Sequence, residues 1–381
     1  MRKEAVSVLR KDGLIQRKWP IIQILKGIAV IGNLVRLIVK IREPLQKDKI
    51  KSVLVVHFGG FGDGILLLSL EESLIELGTR YQFDLFTNTD VALAVKESNA
   101  FQDIYISESY FKLQYVKNLK KIAGKLKQIN KRYDVAVVLR SGIDNGLLPL
   151  FLAGITNSIA GFKTGGFGFC LDHISEWSDE VHETENYRNV FKAAGISVKA
   201  QTANLNPYNV CVMPINEPYI IVHMGSKEKF KMLDAKKITE VLNILSTHTN
   251  LKILLTGLES ESYLFNESDL KNDRVLNLIG KQNFQEFKLA LLHASGVVTI
   301  DTAAAHIAAT RVPTLVFFSG IVSHLEFHPL GDHVTLARTP VICAPCYKPC
   351  VERECMGFDV QKITRKWLVD TGLNNTVHLA I

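Results

Sequence analysis

An aspartate closes a run of glycines in Val55-Val-His-Phe-Gly-Gly-Phe-Gly-Asp-Gly-Ile65, at a point where a strand-like run gives way to a helix-like one. A glycine-rich turn at such a junction ordinarily cradles phosphate on its N–H groups, and a carboxylate there repels it. Gly60 and Gly62 open a dinucleotide fingerprint, but Ile65 stands in the third glycine place, and no Gly-Lys-Ser/Thr follows to complete a Walker A loop. Asp63 is therefore either a helix cap or a carboxylate carried at the C-terminal edge of a parallel sheet, where α/β proteins place their chemistry.

A second constellation lies in Gly296–Gly320, which reads strand, Asp301-Thr302, three alanines, His306, helix, proline, strand. Ala303, Ala304 and Ala305 allow a ligand close to a helix N-terminus whose N–H groups suit a diphosphate. Thr302 adds a hydroxyl, and His306 lies near the same end. The other reading is an Asp-Thr cap on an ordinary buried helix. Four thiols, Cys343, Cys346, Cys350 and Cys355, have the count and the opening C-x-x-C of a structural zinc or iron site, with a second half tighter than zinc usually takes. Free thiols or a local disulfide are the alternative, and no catalytic role attaches to them.

The elements that must carry these residues alternate. Runs at 52–58, 82–87, 134–139, 219–223, 252–256, 297–301 and 314–318 read as buried strands, with helices at 65–77 and 115–132. Continuous apolar strands between helices argue for parallel sheets covered on both faces. The expected division is a basic segment at 1–50, an α/β domain at 51–205, a linker at 206–218, a second α/β domain at 219–359, and a C-terminal helix and tail at 360–381.

The 381 residues, 47% apolar, exclude disordered and fibrous classes. The net charge of +7 is local: thirteen of the 45 basic residues fall in the first 51 positions, against four of the 38 acidic ones. The body is near neutral, so nucleic acid is not an expected partner. In that basic segment, residues 20–42 form an amphipathic pattern with Lys26, Arg36 and Lys40 on one side. It suits a helix lying on an anionic membrane surface, with Arg2, Lys3, Arg10, Lys11, Arg17 and Lys18 adding charge. The alternatives are a helix packed on protein and a true span, which three charges disfavour. With no secretory pattern at the start, a cytoplasmic place, peripheral on the inner membrane, is expected.

From about Lys51 to Asp370 the chain resembles glycosyltransferase family 9, the lipopolysaccharide heptosyltransferases. The residues that carry the resemblance are Gly-Phe-Gly-Asp-Gly at 60–64, YDVAVVLR at 133–140, HETENYRNV at 182–190, IIVHMGSKEKFKML at 220–233, ILLTGLESE at 253–261 and VVTIDTAAAHIAA at 297–309. The resemblance implies an α/β protein of GT-B fold: two Rossmann-like, doubly wound domains facing a cleft, here with the added N-terminal amphipathic helix. It implies an acceptor on the first domain, a nucleotide sugar on the second, and a final helix crossing back to the first. Heptose would pass with inversion from ADP-heptose to a lipopolysaccharide core or lipid-linked acceptor. Other nucleotide sugars, protein heptosylation and a non-catalytic sugar-nucleotide module are the alternatives.

By the same resemblance Asp63 is the catalytic base, and Lys231 neutralises the donor phosphates, with no cofactor required; Ser226 shares its loop. Thr302, Ala303 and Ala304 form the N–H cradle, flanked by Asp301 and His306. Glu259 or Glu261 takes the ribose hydroxyls, and Lys281 and Gln282 fall where the base is held. Gly62, Gly64, Lys120, Arg140 and Ser141 are the acceptor-side candidates. Two departures stand out: Ala303 replaces the family's glycine, which would strain a left-handed backbone, and Leu233 replaces an aromatic.

Overall fold

The computed structural model describes residues 32, 47–107, 115–140, 147–162, 167–205, 215–265, 272–347 and 352–375. But for Gly32, the expected helix at 20–42 lies outside them. Contacts divide the chain into two compact units, Met1–Gln201 and Thr202–Ile381.

The first unit is built on strands β1 (Ser52–His57), β2 (Gln82–Thr87), β3 (Ile104–Ile106), β4 (Val135–Arg140), β5 (Ile159–Phe162) and β6 (His173–Ser175). All pair in parallel, in the order β3-β2-β1-β4-β5-β6. The sequence SVLVVH explains β1: its β-branched residues have no side to show to water, and Val53 to Val56 are fully buried.

The second unit repeats the plan with β7 (Tyr219–His223), β8 (Lys252–Thr256), β9 (Val275–Asn277), β10 (Gly296–Ile300), β11 (Thr314–Phe317) and β12 (Val334–Ala337). Their order is β12-β11-β10-β7-β8-β9, again all parallel. Each sheet therefore reverses its winding between its first and fourth strands, β1 and β4 in one, β7 and β10 in the other. Ligands of doubly wound sheets bind beyond the carboxyl ends of the strands at such a reversal.

Local chemistry fixes the helices around these sheets. Asn88, Asp234, Asn283 and Asp359 each cap a helix by accepting a backbone N–H three residues on. The helix expected over 65–77 starts earlier, at Phe61, and is interrupted by a 3-10 turn, Leu68–Leu70. The Ser69 carbonyl in that turn accepts the N–H of Gln201 at 3.0 Å, so the returning chain takes a bond a continuous helix would keep.

The basic helix is shorter than expected, Tyr115–Gln128. Lys131 leaves it to pair with Asp84, buried in β2, at 3.1 Å, and with Asp103. The hydrogen bond that Lys131 donates to Asp103, joined by the one to Asp84, holds Lys131 protonated well above the ordinary lysine range. Arg132 donates to Asn157 Oδ1 at 2.7 Å. Both cations are exposed, and both are paired.

The helix Val360–Asp370, which the resemblance takes back to the first domain, folds into the second unit. Trp367 is fully buried in that unit's core with Leu368, Val360 and Phe358.

Candidate functional site

In the first unit the chain leaves β1 through His57, a buried residue whose Nε2 lies 2.8 Å from the Tyr187 hydroxyl. Thr87 donates to the His57 carbonyl, and Asn88 Nδ2 donates to the Gly59 carbonyl at 2.8 Å. The glycine turn is thus clamped from the end of β2 before the helix Phe61–Leu67 begins. Asp63, third in that helix, accepts the Gly60 N–H at 2.7 Å. Its side chain folds back so closely that a Cβ on Gly59 would lie 2.7 Å from Asp63 Oδ2. Glycine at 59 is the condition for that placement.

The remaining acceptor-side candidates differ in what they contribute. Gly62 is partly exposed, whereas Gly64 is buried, and a Cβ there would meet Ala94 Cβ at 2.5 Å. Gly64 serves the packing of two helices. Arg140 is the last residue of β4 and pairs in register with His57, which places it across the strand reversal from the glycine turn. Lys120 lies on the helix Tyr115–Gln128, and Ser141 lies outside the described residues.

In the second unit β7 and β10 deliver two charges to one point. Lys231 follows β7 in the 3-10 turn Lys229–Lys231, and Asp301 follows β10 directly. Lys231 Nζ lies 3.1 Å from Asp301 Oδ2 and 3.2 Å from Glu228 Oε2. Burial opposes the charge on Lys231, but Asp301 and Glu228 together outweigh it and raise its pKa above the ordinary lysine value. Ser226, in the same loop, accepts the Glu228 N–H at 3.1 Å.

Thr302 stands at the N-cap of the helix Ala303–Ala309 in extended conformation, without a side-chain cap bond. Ala303 is the first helical residue. The positive-φ residues other than glycine, among those described, are Tyr347 and Arg353, so the alanine that replaces the family's glycine carries no left-handed strain. His306 is buried one turn into the helix.

The two acidic candidates separate by environment. Glu261 is buried; it accepts the Leu258 N–H at 2.7 Å, and a Cβ on Gly225 would fall 2.0 Å from its Oε2. Its carboxylate lies against the loop that carries Ser226. Glu259 is exposed and lies over Gly280, whose φ of +71° suits glycine. Lys281 donates to the Asn277 carbonyl at 2.8 Å, and Gln282 is partly exposed. Their turn is tied to the Glu261 turn by Gly280 N–H to Gly257 O, 2.9 Å.

Sequence reading passed over His223, the last residue of β7. Its Nδ1 is 3.1 Å from Thr256 Oγ1, and its ring lies tilted against Phe287 at 5.0 Å between centroids. Burial lowers its pKa to about 4, against a smaller opposing pull from Thr256. The imidazole is neutral at physiological pH. An unfolded histidine titrates near 6.5, so on acidification the unfolded chain takes up the proton first. Stability from this residue is complete above about pH 6.5 and falls by about 3 kcal/mol as pH drops towards 4. Urea midpoints measured between pH 7.5 and 4 should show that slope, and His223→Asn should flatten it; an unchanged slope in the variant disproves the assignment.

The cysteines form no metal cage among the described residues: no group of three or more His, Cys, Asp or Glu side chains converges. Cys343 is exposed, Cys346 half-buried and Cys355 buried, and Cys350 lies outside the described residues.

Two Rossmann-type units in series, each with a reversal at its strand ends, make a GT-B fold, the architecture of one large class of glycosyltransferases. Residues 171–356, just under half of the chain, match the model of glycosyltransferase family 9 (heptosyltransferase). The lipopolysaccharide heptosyltransferase 3 of Escherichia coli is 24% identical over 123 residues, 32% of this chain and 36% of that protein. The alignment thus spans about a third of that relative's length. A family 9 glycosyl transferase from Veillonella parvula superimposes with a TM-score of 0.66 at 12% identity, over 86% of this chain and 99% of its own. The ADP-heptose lipopolysaccharide heptosyltransferase II of E. coli gives 0.63 at 14%, over 84% and 98%. Among the described residues no helix is long and apolar enough to cross a membrane.

Proposed function

We propose that the protein is an inverting glycosyltransferase that moves heptose from ADP-heptose onto a lipopolysaccharide core acceptor. The observation that carries this is the Lys231–Asp301 pair at the β7/β10 reversal, beside the helix N-terminus at Thr302–Ala304. A cation of raised pKa and free-standing N–H groups suit a diphosphate, and they supply positive charge to the leaving ADP with no step assigned to a metal.

Glu261 takes the ribose hydroxyls in this reading. It follows the second strand of its unit, where doubly wound nucleotide-binding domains carry their ribose acid. Lys281 and Gln282 hold the base. Asp63 accepts the proton of an acceptor hydroxyl while that oxygen bonds to the anomeric carbon. The bond from that carbon to the phosphate oxygen breaks, ADP departs, and the configuration inverts. Gly62, Arg140, Ser141 and Lys120 are assigned to the acceptor in this reading. The basic segment at 1–50 holds the protein on the cytoplasmic membrane face; a chain lacking it should no longer sediment with anionic vesicles, and retained sedimentation removes that role.

One observation favours a second reading. Asp63 caps its own helix through the Gly60 N–H, which fits a sugar-nucleotide binding module without transfer.

Thermal unfolding with ADP-, GDP- and UDP-sugars tests the donor. A ligand at 100 times its dissociation constant stabilises a folded protein by about 2.7 kcal/mol. ADP-heptose should give that stabilisation and the GDP and UDP sugars should not; a response confined to another nucleotide replaces the donor.

A further inference from the structure

Lys231 is a long side chain on a short 3-10 turn, and turns of this kind move unless something outside them holds the backbone. Its neighbours are held from far along the chain. Arg353 Nε donates to the Phe230 carbonyl at 3.2 Å, and Arg353 Nη2 donates to the Met232 carbonyl. These are the two carbonyls that flank Lys231, so one planar guanidinium bridges the lysine's peptide on both sides.

Other contacts bind the same two segments. Lys237 Nζ donates to the Met356 carbonyl at 2.6 Å, and Met232, Leu233, Cys355, Met356 and Phe358 share one apolar cluster. Arg353 itself adopts φ +48° and ψ 34°, a left-handed conformation that favours glycine. A non-glycine residue kept in such a backbone points to a job for its side chain. Arg353 also lines a cavity of about 380 Å³ together with Leu233, Asp234 and Met356.

We propose that Arg353 is a positioning residue: it fixes the Lys231 turn so that the ammonium stands on Asp301, ready for the donor's diphosphate. The cysteine-rich segment that carries it is thereby a brace for the donor site. The donor part of this inference rests on the function proposed above; the placement of Lys231 does not.

The test uses the full-length protein and two readouts. Arg353→Gly removes the guanidinium and suits the left-handed backbone, and Arg353→Lys keeps the charge but cannot bridge two carbonyls. In both, Lys231 released from its ion pairs should be acylated by acetic anhydride about fivefold faster relative to the other lysines, read by peptide mass spectrometry. The dissociation constant of ADP should rise about tenfold, and millimolar guanidinium should restore affinity in Arg353→Gly only. Unchanged acylation of Lys231 in both variants overturns the positioning role. Faster acylation with no ADP binding by the parent protein upholds the positioning role and removes the donor reading instead. Faster acylation with unaltered ADP affinity overturns the link between the brace and the donor.

Discussion

Asp63→Asn should slow sugar transfer by about 10²–10⁴-fold while leaving the affinity for ADP unchanged. The substitution separates the two jobs of this side chain. An asparagine oxygen can accept the Gly60 N–H as the carboxylate does at 2.7 Å, so the helix cap survives. Stability should stay within about 0.5 kcal/mol of the parent. Only the capacity to take up a proton is lost. Asp63→Ala removes both functions and should cost a further ~1 kcal/mol in unfolding free energy. Transfer from ADP-heptose measured by ADP release, beside a urea unfolding curve, checks both. Unchanged turnover in Asp63→Asn would leave Asp63 as a cap and favour the binding-module reading.

How much of this was legible in the sequence depended on where the signal was stored. β1, β4, β7, β8, β10 and β11 are buried, β-branched runs, and each shows as an unbroken apolar stretch. β3, β6, β9 and β12 do not, because they are three- or four-residue strands at or near a sheet edge, partly exposed, and defined by their neighbours' hydrogen bonds. The end of the basic helix was hidden for a related reason. Lys131 continues the charge pattern along the chain, but a buried aspartate 47 residues away decides its place.

The site divides in the same way. Asp63, Lys231 and Asp301 announce themselves by short motifs at strand ends. Glu259 and Glu261 differ in burial, which two acids of like type, two positions apart, do not reveal. Arg353 left no local trace, since its partners are backbone carbonyls 121 and 123 positions away and any residue type supplies those. Residues that touch a ligand recur in motifs, whereas residues that hold those residues in place emerge only from the folded chain.

Lys231→Ala should destabilise the second unit by about 3 kcal/mol and weaken ADP binding about 10–100-fold, and a double variant can tell the two effects apart. Asp301 is only 7% exposed, and removing the lysine leaves its carboxylate buried without that cation. A lone buried charge costs more than the pair it came from contributes. Changing Asp301 to Asn in the Lys231→Ala background removes the stranded charge, so stability should recover most of what the single variant lost. Affinity for ADP should not recover, because the cation that meets the diphosphate is still missing. Calorimetric ADP titration and thermal unfolding of the parent, the single and the double variant provide both numbers. If ADP affinity returns together with stability in the double variant, Lys231 acts through folding alone, and the diphosphate must find its positive charge elsewhere in the unit.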